Sequence, residues 1–340
     1  MKKVILLSLL PLTAMAAPSL KGFENTYQDW DLICDNTGTC NMAGYPEYYP
    51  EHPVSILFTR SAGEQASVTA QLALLPEDVG NKTAEIILNG QSLGTVPNIS
   101  EDGNAKLSEK QTTELLTALK GNASIEVIFG EFKEKVSDKG AAAAMLKMDE
   151  FQQRLNTPSA LIRQGQEKHA VLAPKVKPKI DAVSVNNRKT IELKHGEKQF
   201  NHVLALLRKA HDGCYDGDLE SQNIMIYPLT QNKVLAEALC FKGAYQSTNY
   251  YAVLDDKLSN VEQVLAEQYN EAGYDEKQGY AFVRGSYKGH AFGDCWNGQD
   301  AVWNGKIFIR TSDWMTGGCY KWFTGGAWQL PTFVSDIIVK

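Results

Sequence analysis

The sequence predicts an α+β protein of two domains, each a mostly antiparallel β-sheet with one or two covering helices and stapled by disulfides. Three observations lead there. Short period-two stretches separated by Gly, Pro and Asn turn signals recur through both halves. A few longer stretches instead carry apolar residues at helical spacing. Six cysteines fall into three local clusters, Cys34 with Cys40, Cys214 with Cys240 and Cys295 with Cys319, and in an exported chain such clusters read as disulfides.

Export is itself read from the first residues. Lys2 and Lys3 precede an apolar run from Val4 to Leu12, which ends on Ala14-Met15-Ala16. A charged start, a short apolar core and small residues at the cut describe a secretory signal removed after Ala16. The run is too short for a spanning helix, which takes about 20 residues. Losing residues 1–16 moves the formal charge from −6 to −8. An acidic chain without a basic block argues against nucleic acid as partner.

The first domain is expected over residues 17–163. Tyr27 to Cys34 reads as a strand with Trp30, Leu32 and Cys34 on one face, and Asp35-Asn36-Thr37-Gly38 turns Cys40 back towards it. The loop YPEYYPEHP at 45–53 sets Tyr48 and Tyr49 where a ligand contact or an ordered surface explains them equally. Val54 to Arg60 and Ala66 to Leu74 read as strands, and Asn89-Gly90 between Thr83–Leu88 and Leu93–Val96 is a hairpin signal. Ser108 and Gln111 have the spacing of a capping box, opening a helix that carries Leu115, Leu116 and Leu119. Ser124 to Phe129 is a further strand. A second helix is expected from about Lys139 to Leu155, with Asp149, Glu150, Gln152 and Arg154 on its outer face.

Residues 164–190 read as a linker: Lys168, Lys175, Lys177 and Lys179 alternate with Pro174 and Pro178 in a stretch without periodicity. The second domain, 191–340, opens with a helix from Glu197 to Ala210. Strands are expected at Asn223–Tyr227, Lys233–Phe241 and around 250–254, 280–284, 300–303 and 306–310, the last two joined by Asn304-Gly305. Val261 to Gly273 fits a helix or a strand.

Two stretches of this domain invite a functional reading. Asp212, Asp216, Asp218 and Glu220 stand close together beside His211, and alternating hard oxygens suit Ca²⁺, although the twelve-residue calcium loop is absent. Residues 284–328 hold five of the six tryptophans, including Trp296, Trp303, Trp314 and Trp322. Spaced by glycines, they describe either the core of a small β-domain or an aromatic surface for a ligand. No nucleophile elbow, zinc-protease helix or phosphate loop appears.

Several phrases together resemble a known family: DWDLICDNTGTCNMAGY at 29–45, SDKGAAAAMLKMDEFQQRLNTPSAL at 137–161, CFKGAYQ at 240–246, GHAFGDCW at 289–296 and VWNGKIFI at 302–309. They are similar to an uncharacterised exported family of proteobacteria, domain of unknown function family 1176. The first half also resembles, more weakly, the invasion-associated locus B proteins. The resemblance implies a periplasmic protein and supplies no catalytic residues. The expectation is therefore a non-enzymatic binding or interaction protein of the cell envelope, monomeric and without a membrane span, whose ligand is a glycan, peptide or protein. The alternative is a metal-dependent envelope hydrolase built on the acidic turn 212–220.

Overall fold

Trp30, Leu32 and Cys34 alternate with Asp31 and Ile33, yet every one of these five positions is buried. A sheet with one wet face would bury every second residue, so both faces of this strand must be covered. The computed structural model shows by what. It describes residues 20–79, 82–210, 213, 214, 216–319, 323 and 325–340; the expected signal segment lies outside them.

In the first half the strands are β1 (Phe23–Tyr27), β2 (Trp30–Cys34), β3 (Cys40–Gly44), β4 (Val54–Arg60), β5 (Val68–Leu74), β6 (Ala84–Leu88), β7 (Gln91–Val96), β8 (Asn104–Lys106), β9 (Ile125–Phe129) and β10 (Phe132–Val136). They form a six-stranded sheet ordered β1-β2-β3-β4-β5-β8 and a four-stranded sheet ordered β10-β9-β6-β7. Helices α1 (Glu109–Ala118) and α2 (Ala141–Phe151) complete this half. One core joins the sheets to the helices, with Trp30, Phe58, Leu72, Ile86, Val127, Leu115 and Met148 in it. Both halves of the capping box form: Ser108 Oγ accepts from Gln111 N at 3.2 Å, and Gln111 Oε1 accepts from Ser108 N at 2.9 Å. At the β6–β7 turn, Asn89 and Gly90 both have positive φ, 51° and 80°, which a tight hairpin requires.

In the second half come β11 (Lys179–Ala182), β12 (Ile191–Leu193), α3 (Lys198–Ala210), α4 (Asp216–Leu219), β13 (Ile224–Pro228), β14 (Lys233–Lys242), β15 (Ser247–Asp255), β16 (Val261–Tyr269), β17 (Glu271–Tyr274), β18 (Ala281–Lys288), β19 (Trp296–Trp303), β20 (Phe308–Met315), β21 (Leu330–Val334) and β22 (Asp336–Val339). Strands β12 to β16 make one antiparallel sheet in sequence order, and β17 to β21 make a second. The first carries α3 on one face through Phe200, Val203 and Leu207. Its other face, with Leu235, Tyr251 and Leu265, packs on Val283, Trp303 and Phe308 of the second sheet. The ambiguous stretch 261–273 is thus strand, its partners being β15 and β18. The protein is α+β with mostly antiparallel sheets, and disulfides join Cys34–Cys40, Cys214–Cys240 and Cys295–Cys319.

The second face of β2, β3 and β4 is covered by the C-terminal segment. Ile33, Ala43, Tyr45 and Leu57 pack against Phe323, Trp328 and Leu330. Asp31 is buried because Gly318 N donates to its Oδ2 at 2.7 Å and Thr26 Oγ1 to its Oδ1 at 2.6 Å. Gly317 permits this contact: with φ at +88°, any Cβ would lie 2.5 Å from both Asp31 Oδ2 and the Tyr45 hydroxyl. The Lys/Pro segment is no free tether. Leu172 exchanges backbone bonds with Gln152 and Gly63, and β11 pairs in parallel with β22.

The expected outer face of the second helix is a correction. Asp149, Gln152 and Arg154 are fully buried, because the helix ends at Phe151 and the chain turns inward through positive φ at Gln153 and Asn156. Asp149 Oδ1 accepts from the Arg60 guanidinium at 2.7 Å, and its Oδ2 accepts from Leu161 N and Ile162 N at 2.7 and 3.0 Å. Glu150 meets Lys147 instead of Arg154.

Between the two sheets of the second half lies a half-buried carboxyl, Glu237. Tyr227 donates to its Oε2 at 2.6 Å, and Asn249 donates to Oε1. Burial raises its pKa, an effect those donors partly offset. A native acid that holds its proton to higher pH than the unfolded chain binds more protons, so stability falls as pH rises from about 4.3, the free value. Glu237→Gln is expected to remove that slope. Urea midpoints measured from pH 4 to 8 check it; parallel curves for both proteins would refute it.

Candidate functional site

The chain leading into β1 runs so close to β21 that a Cβ on Gly22 would stand 2.2 Å from the Thr332 carbonyl oxygen. Beside it, Asn36 pairs its amide with both backbone groups of Val334: Nδ2 donates to the carbonyl at 3.1 Å and Oδ1 accepts from the N–H at 2.8 Å. A side-chain amide here completes the edge of β21 much as another strand would. Lys175 N donates to Thr37 O at 3.0 Å, and Asp336 N to Pro178 O at 2.9 Å. The first half, the connecting segment and the second half thus meet along three seams.

Between the seams lies a cleft of about 1040 Å³, at the upper end of the 300–1,000 Å³ or so typical of small-molecule sites. Its lining comes from three segments: Leu20, Lys21, Phe23 and Glu24; Lys175, Val176 and Pro178; and Ile309, Arg310, Asp313 and Phe333. A smaller pocket of about 300 Å³ shares Asp313 and Phe333 and adds Ser312, Trp314 and Pro331. The lining is apolar with charged groups set around it. Arg310 and Asp313 pair at 3.1 Å, each part-exposed, a contact worth about 0.2–1 kcal/mol. Lys21, Glu24 and Lys175 are all exposed, at the rim of the cleft. Such a surface can hold an amphipathic molecule by its apolar flank and an anionic group by the rim cations.

The tryptophans divide. Trp303 is fully buried, its Nε1 donating to Thr230 Oγ1 at 2.8 Å, so the reading of it as a ligand contact is corrected: it fills the space between the two sheets. Trp328 is likewise core, donating to Ser55 Oγ at 2.7 Å. Trp314 lines the smaller pocket, lying over Gly298, where a Cβ would stand 2.1 Å from its ring. Trp296 is half-buried beneath Lys288, its Nε1 on Gly293 O at 2.9 Å. Trp322 lies outside the described residues.

Tyr48 and Tyr49 are exposed, and neither lines the cleft. The Tyr48 hydroxyl donates to Glu134 at 2.9 Å; partial burial, then Glu134, raises its pKa. Of the acidic turn, the side chains of Asp218 and Glu220 are described. Asp218 Oδ2 accepts from Lys242 N at 3.3 Å while Glu220 pairs with Arg208 at 2.5 Å, and Asp212 and the side chain of Asp216 lie outside the described residues. Among the described residues the one group with metal-ligand spacing is His290, Cys295 and Cys319, whose sulfurs are joined as a disulfide.

The cleft residues Lys21, Phe23, Lys175, Arg310 and Phe333 escaped sequence reasoning. Each is an ordinary residue for its element, and their functional relation exists only after three distant segments meet. No curated protein and no solved structure matches the chain. Residues 24–335, which span both halves, match the family described as protein of unknown function (DUF1176); the chain belongs to that family.

Proposed function

We propose that this is a non-enzymatic binding protein of the cell envelope, exported to the periplasm, which takes a carboxylate-bearing peptide or peptide–glycan fragment into the cleft between its two halves. The observation that carries the reading is the cleft itself: apolar side chains contributed by three segments, with Lys21, Lys175 and Arg310 among the residues that line it. The apolar flank gives area, and the cations select the anionic end of a ligand in an otherwise acidic protein. Trp314, in the adjoining pocket, offers a planar surface to a sugar or peptide plane. The three disulfides suit an oxidising compartment, and no helix among the described residues is long and apolar enough to cross a membrane.

The test is thermal unfolding of the mature protein with muropeptides, neutral cell-wall glycans and Ca²⁺. A muropeptide at a hundredfold excess over its dissociation constant is expected to add about 2.7 kcal/mol of apparent stability. Lys175→Glu combined with Lys21→Glu is expected to abolish that gain without changing the stability of the free protein by more than about 0.5 kcal/mol. Equal gains in the double variant would show that binding is elsewhere, and no gain with any carboxylate ligand would overturn the reading.

A further inference from the structure

The loop from Gly289 to Cys295 closes on its own disulfide. Gly289 N donates to Cys295 O at 3.0 Å, and the Gly289 backbone lies so near the sulfurs that a Cβ would stand 2.4 Å from Cys319 Sγ and 2.5 Å from Cys295 Sγ. Gly289 is exposed. Among the described residues, what lies against the sulfurs on that side is thus an exposed glycine and not a side chain. The two sulfurs also differ: Cys295 is 2% exposed, whereas Cys319 is only half-buried.

Next to them stands an imidazole. The ligand atoms of His290, Cys295 and Cys319 all lie within 4.8 Å of one another. Behind it, Asp294 is 8% exposed and its Oδ1 makes no hydrogen bond, lying 3.5 Å from His290 Nδ1. A buried carboxylate oxygen without a hydrogen bond is costly, so its contact with the imidazole holds His290 in place beside the sulfurs. Among the described residues this is the one disulfide with an imidazole at that range. Cys34 and Cys40 are fully buried in the first core.

We infer that Cys295–Cys319 is a thiol–disulfide exchange centre, with Cys319 the sulfur attacked, His290 the acid that assists the leaving sulfur and Asp294 its positioning residue. The co-reactant is a dithiol: a pair of cysteine thiols on another polypeptide. Its thiolate attacks Cys319 Sγ, forming a mixed disulfide, and the electron pair of the broken bond goes to Cys295 Sγ, which takes a proton from His290. The donor's second thiol, its proton passing to the imidazole, then attacks the donor sulfur of the mixed disulfide. Cys319 leaves as a thiolate and takes that proton from the imidazole, which regains from solvent the proton that the donor's first thiol had released there. Two electrons and two protons have moved to Cys295 and Cys319, and the donor is left as a disulfide. A cation beside the leaving sulfur lowers the basicity of its thiolate, and a less basic thiolate leaves faster. This assignment does not depend on the cleft being a binding site.

The test uses the mature protein with all three disulfides intact. Exposed to reduced glutathione and then to dithiothreitol, with timed alkylation and peptide mass mapping, Cys295–Cys319 is expected to open first while the other two stay closed and circular dichroism is unchanged. His290→Asn is expected to slow that opening at least about tenfold, with partial recovery in added imidazole. Cys295→Ser, given oxidised glutathione, is expected to carry glutathione on Cys319 until dithiothreitol releases it. Opening of all three disulfides together, at the rate of global unfolding, would overturn the inference. So would an unchanged rate in a folded His290→Asn protein.

Discussion

Asp149→Ala is expected to destabilise the protein by about 3–5 kcal/mol, the cost of removing one partner from a buried ion pair. The carboxylate sits under two guanidinium groups, since Arg154 is fully buried close by and Arg60 binds it directly. Burial, and next the charge of Arg60, pull the Arg154 pKa down to about 10, and burial lowers that of Arg60 against the pull of Asp149. Without Asp149 two cations would face each other in the core with no anion between them. The other Asp149 oxygen holds Leu161 N and Ile162 N, and Arg154 reaches Gly63 O, Gln152 Oε1 and Ser159 Oγ. The network therefore clips residues 152–163 onto β4 and the turn beyond it. Urea unfolding would give the loss, and limited proteolysis should show new cleavage between 155 and 172. A loss under about 1 kcal/mol would mean that the pair is solvated in the native state. Replacing the pair together, Arg60→Met with Asp149→Leu, is expected to recover only the part of the loss due to the facing cations, because Arg154 and the N–H groups of Leu161 and Ile162 still lack the carboxylate.

That cluster marks where sequence reasoning stops. The strands around Asn89-Gly90, the capped helix at Ser108 and α3 were legible, since each is governed by residues within a few positions of one another, and the three cysteine pairings because each pair lies within 26 positions and far from the next. MDEF was legible as helix, but the polar residues from Asp149 to Arg154 were misread as surface: polar side chains at helical spacing look solvated until Arg60, 89 positions from Asp149, supplies the partner. The unbroken burial of β2 had the same cause, for the segment that covers its second face is nearly 300 residues distant. Val261 to Gly273 could be resolved as strand only by its neighbours. In the aromatic stretch, composition could not separate Trp303, between two sheets, from Trp314, on a pocket.

Trp328→Ala is expected to cost a similar 3–5 kcal/mol, the range for deleting a large buried aromatic, and its character should differ from the Asp149 loss. Trp328 belongs to the chain of the second half, yet its ring packs among Ile33, Leu57 and Phe323 and its indole N–H rests on Ser55 of the first. The cavity would open at the seam between the halves and leave each half's own core intact. If this contact couples them, the wild type unfolds in one calorimetric transition and the variant in two, the less stable half melting alone. The ligand response should fall with it, because the walls of the cleft come from both halves and hold their spacing only while the seam is closed. A variant that loses stability in a single, merely shifted transition and keeps its full ligand response would place the coupling in β11–β22 and the Asn36–Val334 pairing instead, leaving Trp328 as ordinary core.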